Sequence, residues 1–180
     1  DAKSQDYESK KLSFTDYVKY LELLGQKKKV NLRQYENLFK LVSVLIYEKK
    51  INFNVVDKER AALIDVITKK LEKDALTELV NKSLEFKTGK ISSAEYYDYL
   101  KALAVKHGIS MPNEYPNLFN YIIYNSVYSK IENEQLFNDI KKFEEAVKDK
   151  IFTNDDQKTL DKLSRHINIL LGLVNIRLLN

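Results

Sequence analysis

Lys27, Lys28, Lys29 and Arg33 are the residues of this chain whose types and spacing best suit a chemistry, and that chemistry is the binding of phosphate. They follow Gly25 and lead into a new apolar pattern at Tyr35. Lysine is a point charge without arginine's bidentate fork, so a lysine-dominated set suits contact with a phosphate backbone better than the reading of base edges. Cations at the start of a helix oppose its macrodipole, so helix stability would not explain them there. The free N–H groups of that helix start would add donors for an anion. Lys10, Lys11, Lys49 and Lys50 extend the candidate set. The competing reading is a solvated lysine run on a lysine-rich protein.

The distribution of charge favours the first reading. The chain carries a net charge of +4, but residues 10–50 hold ten Lys/Arg against four Asp/Glu, a local +6. The first nine residues sum to −2, and the remainder is neutral.

Other chemistries have little to stand on, and no enzymatic activity is expected. His107 and His166 are the two histidines. His107 reads as a solvated loop residue, and His166, beside Leu163, Ile167 and Leu170, as a partly buried core residue. No Glu-x-x-His pair exists for a carboxylate-bridged metal centre, and no glycine-rich phosphate loop is present. Asn154, Asp155 and Asp156 lack the Gly and the terminal Glu of a calcium loop. Glu144 and Glu145 read as a solvated helix face. With no Cys there is neither a disulfide framework nor a thiolate site. No cofactor or metal is expected. No apolar run reaches the length of a membrane span, so no membrane partner is expected either. The chain opens on Asp1, so any preceding targeting signal lies outside this reading.

The twelve tyrosines could stack nucleobases where they stand beside cations. Packing is the stronger reading for Tyr17, Tyr20, Tyr35, Tyr96, Tyr99 and Tyr115, because these recur across an internal repeat while the charge around them differs. Tyr17 and Tyr20 are kept as stacking candidates. Tyr121, Tyr124 and Tyr128 form a further set at helical spacing.

The repeat sets the frame that must position these groups. Ser13, Tyr17, Tyr20 and Leu21 fall on Ser92, Tyr96, Tyr99 and Leu100, 79 residues on. After one inserted residue near Gly108, Tyr35, Asn37, Leu38, Phe39, Lys50 and Ile51 fall on Tyr115, Asn117, Leu118, Phe119, Lys130 and Ile131, 80 residues on. The matching hairpin of the second copy holds three Lys and three acids over residues 92–130, so the cationic excess belongs to the first copy. Four Gly and two Pro leave little material for the turns of a sheet. The expectation is a single all-α domain of about eight helices in two tandem pseudo-symmetric repeats of roughly 80 residues, 12–88 and 92–180.

Within it, Ser13 with Asp16 and Ser92 with Glu95 have capping-box spacing. Gly25 is expected to end the first helix, Asn31 with Gln34 to cap the second, Asp57 to open the third and Asp74 the fourth. Gly89 is expected to mark a joint. Tyr35, Leu38, Phe39, Val42, Leu45 and Ile46 are expected inside the second helix, and Leu76, Leu79, Val80, Leu84 and Phe86 inside the fourth. Thr153 and Asp156 open a last helix running to about Leu178. Its later half is apolar on most faces, which suits either a central core helix or a self-association surface. Residues 1–11 are expected to fray.

The paired segments DYVKYLELL…QYENLFKLV and EYYDYLKAL…EYPNLFNYI, with their helix, basic loop and helix, resemble the gamete antigen 27/25 family of malaria parasites. The Lys-, Asn-, Tyr- and Ile-rich usage resembles it too, over about Leu12 to Asn180. The resemblance implies an all-helical protein of two pseudo-symmetric repeats, a homodimer and RNA binding, in a gametocyte. The family's Pro-x-x-Pro element has no match, because Pro112 and Pro116 stand one residue too far apart. The function expected is non-enzymatic binding of the RNA phosphate backbone with low sequence specificity, in the cytoplasm or nucleus. The alternative is a helical protein-interaction, surface or structural protein that binds no nucleic acid.

Overall fold

The computed structural model describes residues 3, 6, 7 and 9–178 and, in the last helix, not the side chains at 165, 168, 169 and 172–178. Every regular element among them is helical. In order these are α1 (Phe14–Lys27), a 3-10 turn (Leu32–Gln34), α2 (Glu36–Glu48), α3 (Phe53–Thr68) and α4 (Lys73–Lys87). There follow α5 (Ser93–Lys106), the single turn α6 (Met111–Glu114), α7 (Pro116–Tyr128), α8 (Asn133–Ile151) and α9 (Asp155–Leu178). The all-α expectation holds. No helix among the described residues is long and apolar enough to cross a membrane. The frayed segment expected over residues 1–11 lies in part outside the described residues.

The helix starts follow the capping chemistry of the sequence, with corrections. Ser13 Oγ accepts the Asp16 N–H at 3.1 Å, and Ser92 with Glu95 forms a complete capping box. Asn52, not Asp57, caps α3, accepting the Asn54 N–H at 3.2 Å. Asn31 accepts from Arg33 N–H and so caps the 3-10 turn rather than α2. Asp74 sits in the first turn of α4 behind Glu72, which makes no side-chain cap. Asn154, not Thr153, accepts the Gln157 N–H that opens α9.

The chain divides into two compact units, residues 36–136 and residues 1–35 with 137–180. In the first of these, α7 packs against α2, α3, α5 and α6, and α5 also meets α3 and α4. Leu63, Ile67, Leu100, Leu118 and Ile122 are at most 1% exposed and form its centre. Each such side chain contributes about 1.5–3 kcal/mol by leaving water. The amide of Asn37 accepts the Glu132 N–H at 2.9 Å, and that of Asn117 accepts the Asn52 N–H at 2.9 Å. The start of α2 therefore meets the end of α7, and the reverse, so the pair runs antiparallel. Asn37 and Asn117, like Asn52 and Glu132, are 80 residues apart, so the same bond is made twice in opposite senses.

In the other unit, the Tyr35 ring meets the Phe143 ring edge-on at 5.1 Å, and Phe14 lies 6.3 Å from Phe137. Lys148 bridges Glu144 at 3.3 Å and Asp161 at 3.5 Å, linking α8 to α9. Gly25 does not end α1, which runs on to Lys27. The reason for glycine is packing: a Cβ there would lie 2.3 Å from Cζ of the buried Phe143. At the equivalent positions of the other copy, Ala104 and Leu63 are both fully buried in one cluster.

The internal likeness extends further than Ser13. Lys3, Ser4, Asp6, Tyr7, Ser9, Lys11 and Leu12 fall on Lys82, Ser83, Glu85, Phe86, Thr88, Lys90 and Ile91. The Tyr7 ring stacks on Tyr17 at 4.5 Å, as Phe86 stacks on Tyr96 at 4.4 Å. The correspondence therefore matches the start of the chain with the end of α4 and the turn that follows it.

Some expected interior residues face out. Phe39 and Ile46 of α2 are 38% and 46% exposed, and Val44 takes a core place instead. Leu76, Val80 and Leu84 form an exposed row on α4, whose one fully buried residue is Leu79. Both helices carry apolar residues around more than one face, so periodicity alone does not select the buried side.

Enlarging Gly25 while shrinking its neighbour tests the packing. Gly25→Ala should lose about 1–3 kcal/mol of stability to urea despite alanine's better helix propensity. Adding Phe143→Leu should recover at least about 1 kcal/mol in a double-mutant cycle.

Candidate nucleic-acid interface

Helix α1 closes in a Schellman turn. The Val30 N–H reaches Gly25 O at 2.9 Å and the Lys29 N–H reaches Gln26 O at 3.1 Å. Lys27 is the last helical residue, Lys28 the C-cap, and Lys29 the residue that reverses the chain at φ 57°. The lysines thus stand at a helix C-terminus, not at the N-terminus expected. There the macrodipole favours them, so a dense cationic group is held at little electrostatic expense. Lys27 and Lys29 are exposed and Lys28 is half-buried, and none of the three makes an ion pair among the described residues. Arg33 is exposed within the 3-10 turn.

The conformation of Lys29 is unusual. A left-handed backbone costs a non-glycine residue roughly 1–2 kcal/mol. The described residues with positive φ are Lys10, Lys29, Gly89 and Gly108. Lys10 at φ 59° is the counterpart of Gly89 at 72°, and Lys29 is the counterpart of Gly108 at 69°. Both pairs share their hydrogen bonds. Gly108 N–H reaches Val105 O at 3.1 Å and Ile109 N–H reaches Ala104 O at 2.9 Å. Lys11 N–H reaches Asp6 O at 2.7 Å as Lys90 N–H reaches Glu85 O at 2.8 Å. Where one copy uses the residue that fits the turn, the other uses lysine. Strain of this kind concentrates at functional positions. Its trace was open to inspection in the sequence, in the alignment of Lys10 and Lys29 with two glycines.

The expected set is nevertheless not one patch. Lys10 and Lys11, both exposed, precede α1, while Lys27–Arg33 follow it, and 14 helical residues span about 21 Å. Lys49 and Lys50 follow α2 and belong to the other unit, with the Lys50 ammonium 5.4 Å from the Tyr47 ring centre.

The remaining candidates are reassigned. Tyr17 is 3% exposed with Tyr7 across its face, which removes it as a stacking platform. Tyr20 is half-buried, and its burial raises its pKa. His107 is half-buried rather than solvated, and its Nε2 is buried with no hydrogen-bond partner among the described residues. His166 is exposed rather than in a core. It edges a cavity of about 650 Å³ between α8 and α9 whose lining includes Lys148, Lys158 and Lys162 against Glu145, Asp149 and Asp161. Three cations balanced by three carboxylates give that cavity no preference for an anion. Among the described residues no group of three His, Asp or Glu is placed to hold a metal ion.

Comparison with models of known protein families, with curated proteins and with solved structures returned no match.

Lys29→Gly should raise stability by about 1 kcal/mol in urea denaturation, because glycine relieves the left-handed strain. Lys29→Ala keeps the strain and should stay within a few tenths of a kcal/mol of the original.

Proposed function

We propose that this protein binds RNA without catalysis, through phosphate contacts of the cationic turn Lys27, Lys28, Lys29 and Arg33. The observation that carries this reading is lysine at the left-handed positions 10 and 29, where the other copy places glycine. The resemblance to the gamete antigen 27/25 family points the same way. Lysine charges on a turn favour a polyanion with little discrimination among bases. The cytoplasm and the nucleus are the compartments that hold such a ligand.

A labelled single-stranded RNA should bind at low salt and dissociate as salt rises. Lys27→Glu, Lys28→Glu and Lys29→Glu together should flatten the plot of log affinity against log salt by about 2, near 0.7 for each lost phosphate contact. An unaltered slope would remove the site. Lys29→Gly should weaken binding while it stabilises the fold.

A second reading, self-association as a homodimer, is favoured by α9. Leu160, Leu163, Ile167, Leu170 and Leu171 are 69%, 53%, 55%, 61% and 56% exposed, with the three–four spacing of a coiled-coil seam along the first four. The side of α9 that carries Asp161 is ion-paired to Lys148 of α8, so these apolar residues are not spent on the core. Of the two expectations for the later half of α9, core helix or self-association surface, the exposure of its described apolar side chains supports the second; the side chains at 168, 169 and 172–178 lie outside the described residues. Sedimentation should give twice the chain mass at micromolar concentration. Leu163→Glu with Leu170→Glu should give the monomer, and a monomeric parent protein would end this reading.

A further inference from the structure

Tyr121, Tyr124 and Tyr128 form a row along α7. The rings of Tyr121 and Tyr124 lie 6.2 Å apart at 12°, and those of Tyr124 and Tyr128 lie 6.0 Å apart at 4°. Phe53, at the start of α3, stands edge-on to Tyr121 at 6.1 Å and to Tyr124 at 6.3 Å. The row is graded in burial: Tyr121 and Tyr124 are half-buried, while Tyr128 is 59% and Phe53 49% exposed. Tyr121 and Tyr124 pack against the core, Tyr121 edge-on to buried Tyr97 at 5.2 Å, whereas Tyr128 and Phe53 are left too far in water to fill it.

The internal repeat supplies an independent argument. Several tyrosines that pack recur in both copies, as Tyr17 with Tyr96 and Tyr35 with Tyr115 do, although buried Tyr97 falls on Val18. The counterparts of Tyr121, Tyr124 and Tyr128 in α2 are Leu41, Val44 and Glu48, and that of Phe53 is Asn133. Leu41 and buried Val44 keep apolar side chains at two of these positions, whereas Glu48 and Asn133 are polar and exposed, so the shared architecture forms without the rings of Tyr128 and Phe53. Like the cationic turn, they are a departure of one copy from the other.

Charge within the same unit completes the picture. Lys49 and Lys50 follow α2 and precede Phe53, and both are exposed. Lys130, also exposed, follows Tyr128 by two residues. Glu48 is the acid acting on Tyr124, whose hydroxyl is held above its ordinary range by burial first and by Glu48 and the neighbouring tyrosines after it. It stays protonated and neutral at physiological pH.

We infer that Phe53 and Tyr128, backed by Tyr121 and Tyr124, form a stacking platform for unpaired nucleobases, with Lys49, Lys50 and Lys130 taking the adjoining phosphates. The inference rests on the RNA-binding reading and specifies its ligand as single-stranded rather than duplex, because only splayed bases offer a face to a ring.

Binding of a labelled oligoadenylate of about 12 nucleotides and of a duplex of similar length would be measured side by side. Tyr128→Leu with Phe53→Leu should weaken oligoadenylate binding about tenfold or more and leave duplex binding within about twofold. Lys49→Glu with Lys50→Glu should weaken both. Circular dichroism should show the helix content kept; if Phe53→Leu disturbs it, Tyr128→Leu alone decides. Equal binding of both probes with no effect of the aromatic changes would overturn the platform and leave the cationic turn standing. Failure of the parent protein to bind either probe would overturn the RNA reading itself, and the platform with it.

Discussion

The antiparallel pairing of α2 and α7 through Asn37 and Asn117 is the constraint around which residues 36–136 are arranged. Each amide accepts a backbone N–H from the residue just before a following helix, Glu132 before α8 and Asn52 before α3. By taking up these two N–H groups, the amides mark where the following helices begin as well as how the pair crosses. Glu59 reinforces one end, accepting the Asn117 Nδ2–H at 2.8 Å and the Leu118 N–H at 2.7 Å at the start of α7. A carboxylate at a helix N-terminus is favoured by the macrodipole as well as by its hydrogen bonds.

On this frame the two copies part company at their turns and on their outer faces. The hydrogen bonds of the turns at 10 and 89, and at 29 and 108, are the same, but the residue that bends the chain is lysine in one copy and glycine in the other. A cation held in a left-handed turn has few backbone alternatives. The aromatic row of α7 is the converse departure, made by the copy whose turns have kept their glycines.

Much of the fold was legible because it rests on local chemistry. Ser13 and Ser92 announce their helices through side chains that reach backbone N–H groups three residues on. Tyr17, Leu21, Leu38, Leu63 and Leu118 lie inside as their spacing demands. What was hidden depended on partners distant in the chain. Gly25 reads as a terminator until Phe143 is seen against it. Phe39, Ile46 and Val80 look like core because nothing in their own helices marks which of two apolar faces meets a neighbour. The lysines stand at the end of α1, not at the start of the following helix as expected. The Schellman turn closes α1 two residues beyond Gly25, and the following helix starts only at Glu36. The aromatic row could be seen as spacing; that Phe53 joins it from another helix could not.

The notch at Gly25 constrains the order in which this protein can change. A methyl group added first meets a ring with no room to retreat, whereas a smaller residue at 143 leaves only a void that neighbouring side chains can partly relax into. A lineage leaving the glycine–phenylalanine arrangement therefore shrinks the ring before it fills the notch, and one entering it opens the notch before it enlarges the ring. At the matching positions of the other copy, Ala104 and Leu63 carry the methyl group and the smaller partner, and both are fully buried.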